Sequence, residues 1–426
     1  MNLIKFNKIY SEKLNEVMWE GRHDAGLRVI VLPKRFTKSY AIIGAKYGSI
    51  DSSFNGIDVP DGIAHFLEHK LFEQPSGVNA FDEFAKTGAS SNAFTSFTET
   101  CYLFSATDRL DENLRILLNF VYSPHFTEEN VAKEQGIIGQ EIKMYDDEPS
   151  WRVFFNMLGL MFKNHPVKKD IAGTIESISE ITPATLNVCY NTFYHPSNMV
   201  MVCVGDFSPE GVEKIIDEEL KRASVSKSYR DIERSFPNEP RDVAGKEHTQ
   251  KLEVGIPLFS IGFKDRVQDL GFGIQDLLKE RIVSEIAVEC IFGRTSAIYE
   301  KLYDSGLIND SFSAEFSSAP NYSYVALGGE SHKPREIYDF VKKQIAFGLD
   351  IAEDDFERTK HAMMGEFYRD FNDSERLGRT IIGDALCGIN SFDYVAVLEK
   401  TGFAEVKARV KELFVEKNMV LSIVEN

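Results

Sequence analysis

Apolar positions along the chain follow two rhythms. Residues 27–32, 40–47 and 199–204 are short runs of branched apolar residues, the last ending at Gly205-Asp206, and they predict strands. Residues 61–72 and 128–144 carry apolar residues at helical spacing. Farther along, 254–263, 324–327 and 420–424 predict strands, while 281–305 and 354–371 predict helices. Strands and helices mix without a regular strand–helix–strand alternation, which predicts an α+β fold.

The pattern also repeats. Asn198-Met199-Val200-Met201 matches Asn418-Met419-Val420-Leu421 at an offset of 220 residues, and Phe120-Val121 matches Phe340-Val341 at the same offset. EQGIIGQE at 134–141 lies against TKHAMMGE at 359–366, offset 225. Matches in one order and at nearly one offset predict two related halves. Between them, 222–250 is polar, with Ser, Pro and charged residues and little periodicity. The expected division is 1–221, a linker over 222–250, and 251–426. A chain of 426 residues is too long for one core, in keeping with that division.

Charge narrows the partners. The 48 basic and 66 acidic residues leave a formal charge of −18. A surface this acidic disfavours nucleic acid and anionic membranes, whose binding depends on Lys and Arg. The five cysteines form no CxxC and are widely spaced, which argues against a disulfide framework or a cysteine zinc site. The first residues lack the apolar core of a secretory signal, and no apolar run is long enough to span a bilayer, so the expected location is the cytoplasm.

The sharpest chemical signal is H-x-x-E-H at His65, Glu68 and His69. Residues four apart share a helix face, so His65 and His69 can aim ring nitrogens at one ion. Glu68 reaches the same space and can act as general base. Two imidazoles and a carboxylate suit zinc and leave a position for a water whose pKa the ion lowers. Glu73 cannot be the third ligand, because eight residues of helix from His65 rise about 12 Å. Glu134 and Glu141, seven apart on the predicted helix 128–144, face one side of it. Their spacing does not say which of them meets the metal. Flanking Ile63, Ala64, Phe66, Leu67 and Leu71 indicate a buried helix, where unpaired His and Glu would be costly.

GIAHFLEH at 62–69, followed by EQGIIGQE at 134–141, resembles the pitrilysin–insulinase–mitochondrial processing peptidase family, the inverzincins. The likeness extends through Asn92-Ala93-Phe94-Thr95, His165-Pro166, Tyr194-His195-Pro196-Ser197-Asn198-Met199 and Val204-Gly205-Asp206. It is strongest with the bacterial processing-protease-like branch. The resemblance implies His65, His69 and Glu141 as ligands of one zinc ion (Zn2+) per chain, Glu68 as catalytic base, and Glu134 as a carboxylate orienting a ligand. It implies that Asn92, Ala93 and Phe94 belong to an edge strand that pairs with extended substrate. It also implies two homologous halves, each an antiparallel-rich sheet with helices packed on it, facing each other across a chamber. The resemblance further implies that a chain of this length pairs, as a homodimer or with a paralogue lacking the zinc motif. The expected function is zinc-dependent endoproteolysis of short or unfolded peptides. The alternative is a non-catalytic assembly subunit of the same fold. In one respect the chain departs from the family. Over 301–310 it lacks the second-half Arg that contacts substrate, for which Arg294, Tyr299, Tyr322 or Tyr324 are possible substitutes.

Overall fold

A computed structural model describes residues 4–225, 229–266 and 274–426. Its first sheet has seven strands: β1 (Asn7–Ser11), β2 (Glu16–Arg22), β3 (Arg28–Pro33), β4 (Ser39–Ala45), β5 (Ser90–Thr95), β6 (Thr100–Ala106) and β7 (Met199–Gly205). Their order is β1-β2-β3-β7-β4-β6-β5, antiparallel except for the β3–β7 pair. The second sheet has five: β8 (Glu247–Lys251), β9 (Leu258–Lys264), β10 (Ser313–Ala319), β11 (Tyr322–Glu330) and β12 (Met419–Glu425). Their order is β8-β12-β9-β11-β10, again with one parallel pair, β8–β12. The second sheet repeats the topology of β3-β7-β4-β6-β5, and β7 and β12 begin 220 residues apart. The α+β expectation holds, and the repeat read from short matches corresponds to one five-stranded topology used twice.

The central strands β4, β6 and β7 are buried along their whole length. Strands covered on both faces read as continuous apolar runs, which is why they were legible in the sequence. Two predicted elements differ. The strand expected over 254–263 begins at Leu258, because Pro257 just before it has no N–H for the ladder. The helix expected over 281–305 is two helices, Ile274–Phe292 and Ala297–Asp304. Between them Ser296 turns its side chain back to accept from the Tyr299 N–H, capping a new helix.

Two compact units emerge, and they interleave in sequence. One comprises 1–142, 170–235 and 366–392; the other comprises 143–169, 236–365 and 393–426. Cutting the chain at 221 and 251 would therefore sever a pair of helices from the sheets they cover. The long helix α1 (Glu128–Asp146) leads into α2 (Pro149–Met161), which packs in the second unit on β9 and β12. Likewise α3 (Glu353–Asp370) leads into α4 (Ser374–Leu386), which packs in the first unit on β4 and β7. Glycine admits each helix. A Cβ on Gly378 would lie 2.5 Å from the Tyr40 ring, and one on Gly262 would lie 2.7 Å from Met161 Sδ.

The segment between the halves is anchored at both ends. Arg234 pairs with buried Asp51 at 2.7 Å in the first unit. In the second, the Glu239 carboxylate accepts the backbone N–H groups of Lys163, Asn164 and His165 and pairs with the fully buried Lys264 at 2.5 Å. All five cysteines are free, four of them buried. Among the described residues, no single helix is long and apolar enough to cross a membrane.

Candidate metal centre and active site

The histidine motif lies on a short helix, Ile63–Leu71, in the first unit. Gly62 opens it with φ of 87°, a left-handed conformation that disfavours a side chain. A Cβ there would also stand 2.4 Å from the Ala172 carbonyl oxygen. Every residue of the helix except His69 is buried. The apolar residues around the motif thus sink most of it into the core, while His69 stays half-buried.

The partners of its two histidines come from α1. His65 Nε2 lies 3.7 Å from Glu141 Oε1, and His69 Nε2 lies 3.5 Å from Glu141 Oε2. One ligand atom from each of the three residues falls within 4.8 Å of the others. A tetrahedral zinc ion with bonds of about 2.0–2.1 Å needs donors roughly 3.3–3.5 Å apart. The set fits such an ion with small side-chain adjustments. Glu134 stands behind it, its Oε1 3.1 Å from His69 Nδ1 and its Oε2 3.5 Å from Lys70 Nζ. The two carboxylates that the sequence left as alternatives therefore sit in different places: Glu141 joins both histidines, and Glu134 backs one of them. Glu73, excluded by distance along the helix, pairs with Lys70 and Lys133.

Glu68 is buried, and its Oε2 accepts from Thr95 Oγ1 at 2.5 Å. Thr95 closes β5, the edge strand of the sheet. In turn Thr100 Oγ1 donates to the Tyr47 carbonyl at 2.9 Å, tying the neighbouring strand to the same corner. Asn92 is exposed, and Ala93 and Phe94 are half-buried. The Ala93 N–H donates to the Asn92 side chain at 2.9 Å. The guanidinium of Arg379, from α4, lies 4.9 Å over the Phe94 ring.

Burial and neighbouring charges compete in setting the proton affinities. It pushes the Glu68 carboxyl up to about 7, against the Thr95 hydrogen bond. Burial, assisted by the neighbouring His69, brings His65 down to about 4, so its ring is neutral near pH 7. For His69, burial is outweighed by the carboxylates of Glu134, Glu68 and Glu141, and its pKa rises. For Glu134, burial is outweighed by His69 and Lys70, and its pKa falls.

Sequence reasoning missed Lys70, Thr95 as the partner of Glu68, and Arg379. A lysine inside an otherwise apolar buried helix does signal a hidden carboxylate partner. Arg379 carried no such signal, because it comes from the far half of the chain. The suggested second-half substitutes are mostly inaccessible: Tyr299, Tyr322 and Tyr324 are buried, and Arg294 donates to the Asp310 carbonyl. Glu366, opposite Glu141 in the repeat, is exposed and paired with Arg369.

Comparison with known proteins places the chain in a family. The sequence profile of the insulinase family (peptidase family M16) matches residues 53–175, and that of the peptidase M16 inactive domain matches 180–363. The zinc protease YmfH of Bacillus subtilis is 40% identical over 412 residues, covering 94% of this chain and 95% of its own. An M16-like peptidase from Alicyclobacillus acidocaldarius superposes with a TM-score of 0.87 at 35% identity, over 99% of this chain and 98% of that one. Pitrilysin, 14% identical with a TM-score of 0.72, shares the fold over 99% of this chain and 46% of its own length. The histidine motif thus lies in the stretch that matches the family's peptidase domain, the following stretch matches its inactive domain, and the chain belongs to the M16 (insulinase) family of zinc peptidases.

Proposed function

We propose that the chain is a zinc endopeptidase that cuts short or unfolded peptides held as an added strand along Ser90–Thr95. The observation that carries this reading is the convergence of His65, His69 and Glu141 within ligand distance, with Glu68 buried beside them. His65, His69 and Glu141 would hold one ion. When bound, that ion supplies Lewis acidity, lowering the pKa of a water and polarising the scissile carbonyl.

The protein's own groups carry the remaining work. His65, kept neutral by burial, offers a ring lone pair. His69 donates from Nδ1 to Glu134, which directs Nε2 toward Glu141. Glu68, buried beside the ligand set with its carboxyl raised by that burial, serves both halves of a proton relay. Its carboxylate takes a proton from the attacking water and passes it to the leaving amine nitrogen. Thr95 fixes the carboxylate and links it to the edge strand, so base and substrate share one support. An open sheet edge bonds to peptide backbone, which restricts substrates to flexible chains.

Pairing with a second copy, or with a paralogue lacking the motif, belongs to the same reading. It is supported by pitrilysin, in which this whole chain matches only 46% of the length. Metal analysis of the purified full chain tests the centre. About one zinc per chain is expected, falling sharply in Glu141→Gln. Zinc-free, folded wild type after zinc supplementation would refute the proposal.

A further inference from the structure

Lys70 is fully buried, and it follows directly after a candidate metal ligand. Its ammonium lies 2.6 Å from Glu73 Oε2 and 3.5 Å from Glu134 Oε2. Glu73 in turn offers Oε1 to Lys133, the residue before Glu134 on α1, at 3.4 Å. A chain of alternating charge therefore runs Lys133–Glu73–Lys70–Glu134–His69. It joins the end of the histidine helix to the helix that bears Glu141.

Glu134 is only 5% exposed, and its two oxygens are divided between His69 Nδ1 and Lys70 Nζ. A carboxylate held at both oxygens has its plane and position set; one held at a single oxygen can rotate. Taking Lys70 away would leave one Glu134 oxygen buried without its cation, an arrangement that is costly and drives rearrangement. The buried lysine gains nothing from water, and its stem could be replaced by an apolar side chain of similar size. Its charge serves the carboxylates.

We propose that Lys70 is a positioning residue for the metal centre: by holding Glu134 Oε2, it keeps Glu134 Oε1 on His69 Nδ1 and so aims His69 Nε2 at the ion. This rests on the reading of His65, His69 and Glu141 as the metal site. Partners that orient a metal-binding histidine typically contribute 10–100-fold in metal affinity when removed. Lys70 acts one step behind such a partner, so the lower end applies.

The test is the zinc dissociation constant of the full chain, measured by competition with a chromophoric chelator. Four proteins are compared: wild type, Lys70→Met, Glu134→Gln and the double variant. The melting temperature of each zinc-free protein is recorded alongside. Lys70→Met is expected to weaken zinc by about 10-fold. If Lys70 works through Glu134, the double variant binds no more weakly than Glu134→Gln alone, a non-additivity that simple loss of packing would not produce. Unchanged affinity in Lys70→Met, or losses that add in the double variant, would overturn the proposal. Lys70→Gln, which keeps a hydrogen-bond donor, serves if the Met variant does not fold. Failure of both to fold would also overturn it, in favour of a purely structural lysine. Wild type that binds no zinc would instead defeat the proposed function itself.

Discussion

Replacing Thr95 by Val removes one hydroxyl and keeps the shape of the side chain, so it isolates the 2.5 Å bond to Glu68 Oε2. A hydrogen bond to a charged group contributes about 1.5–3 kcal/mol. One pKa unit corresponds to about 1.4 kcal/mol of difference between protonation states. The bond favours the ionised carboxylate and opposes the burial that brings Glu68 up to about 7. Thr95→Val therefore raises the Glu68 pKa by about one to two units. A bound cation lowers that pKa in both proteins, so the difference between them survives. The base must be ionised to act, and cleavage falls as pH drops through its pKa. The acid limb of kcat/KM consequently moves to higher pH by about one to two units, with the plateau nearly kept. Hydrolysis of an internally quenched fluorescent peptide from about pH 5 to 9 reads this directly. Zinc content and melting temperature serve as controls. An acid limb within about 0.3 unit of wild type, in a protein that still binds zinc, would refute the assignment of Glu68 as the base restrained by Thr95.

Other perturbations separate chemistry from architecture. Glu68→Gln should lower peptide cleavage by about 10²–10⁴-fold while leaving zinc content unchanged, as read by activity and metal analysis on the same sample. Lys264→Met strands Glu239 in the core of the second unit and should destabilise by about 3–5 kcal/mol, measured by urea denaturation; three backbone N–H groups remaining on Glu239 place it at the lower end. Burial, with the nearby Asp384, raises the Glu99 carboxyl to about 7 from an ordinary value of 4.5. The folded state then binds the extra proton between those two values, so stability falls as pH rises through that window. Glu99→Gln should flatten this slope and melt higher than wild type above pH 7; equal melting curves there would contradict the burial argument.

What was legible in the sequence of this protein was local or periodic. A helix face places His65, Glu68 and His69 together whatever surrounds them, because three and four residues make one turn. The central strands announced themselves because burial on both faces demands continuous apolar residues. Duplication showed in residues that keep the same place in each sheet, such as those opening β7 and β12. Tertiary structure decided the rest. The apolar faces of α2 and α4 require a cover, but hydrophobic burial has no direction and names no partner, so nothing in their patterns says that each belongs to the unit centred on the other half's sheet. Spacing put Glu134 and Glu141 on one side of α1, yet only the packing of that helix beside the histidine helix separates Glu141, between both imidazoles, from Glu134, behind His69 and against Lys70. Polar side chains in a core are assigned by the few ångströms over which hydrogen bonds and ion pairs act, and those distances exist only once the chain has folded.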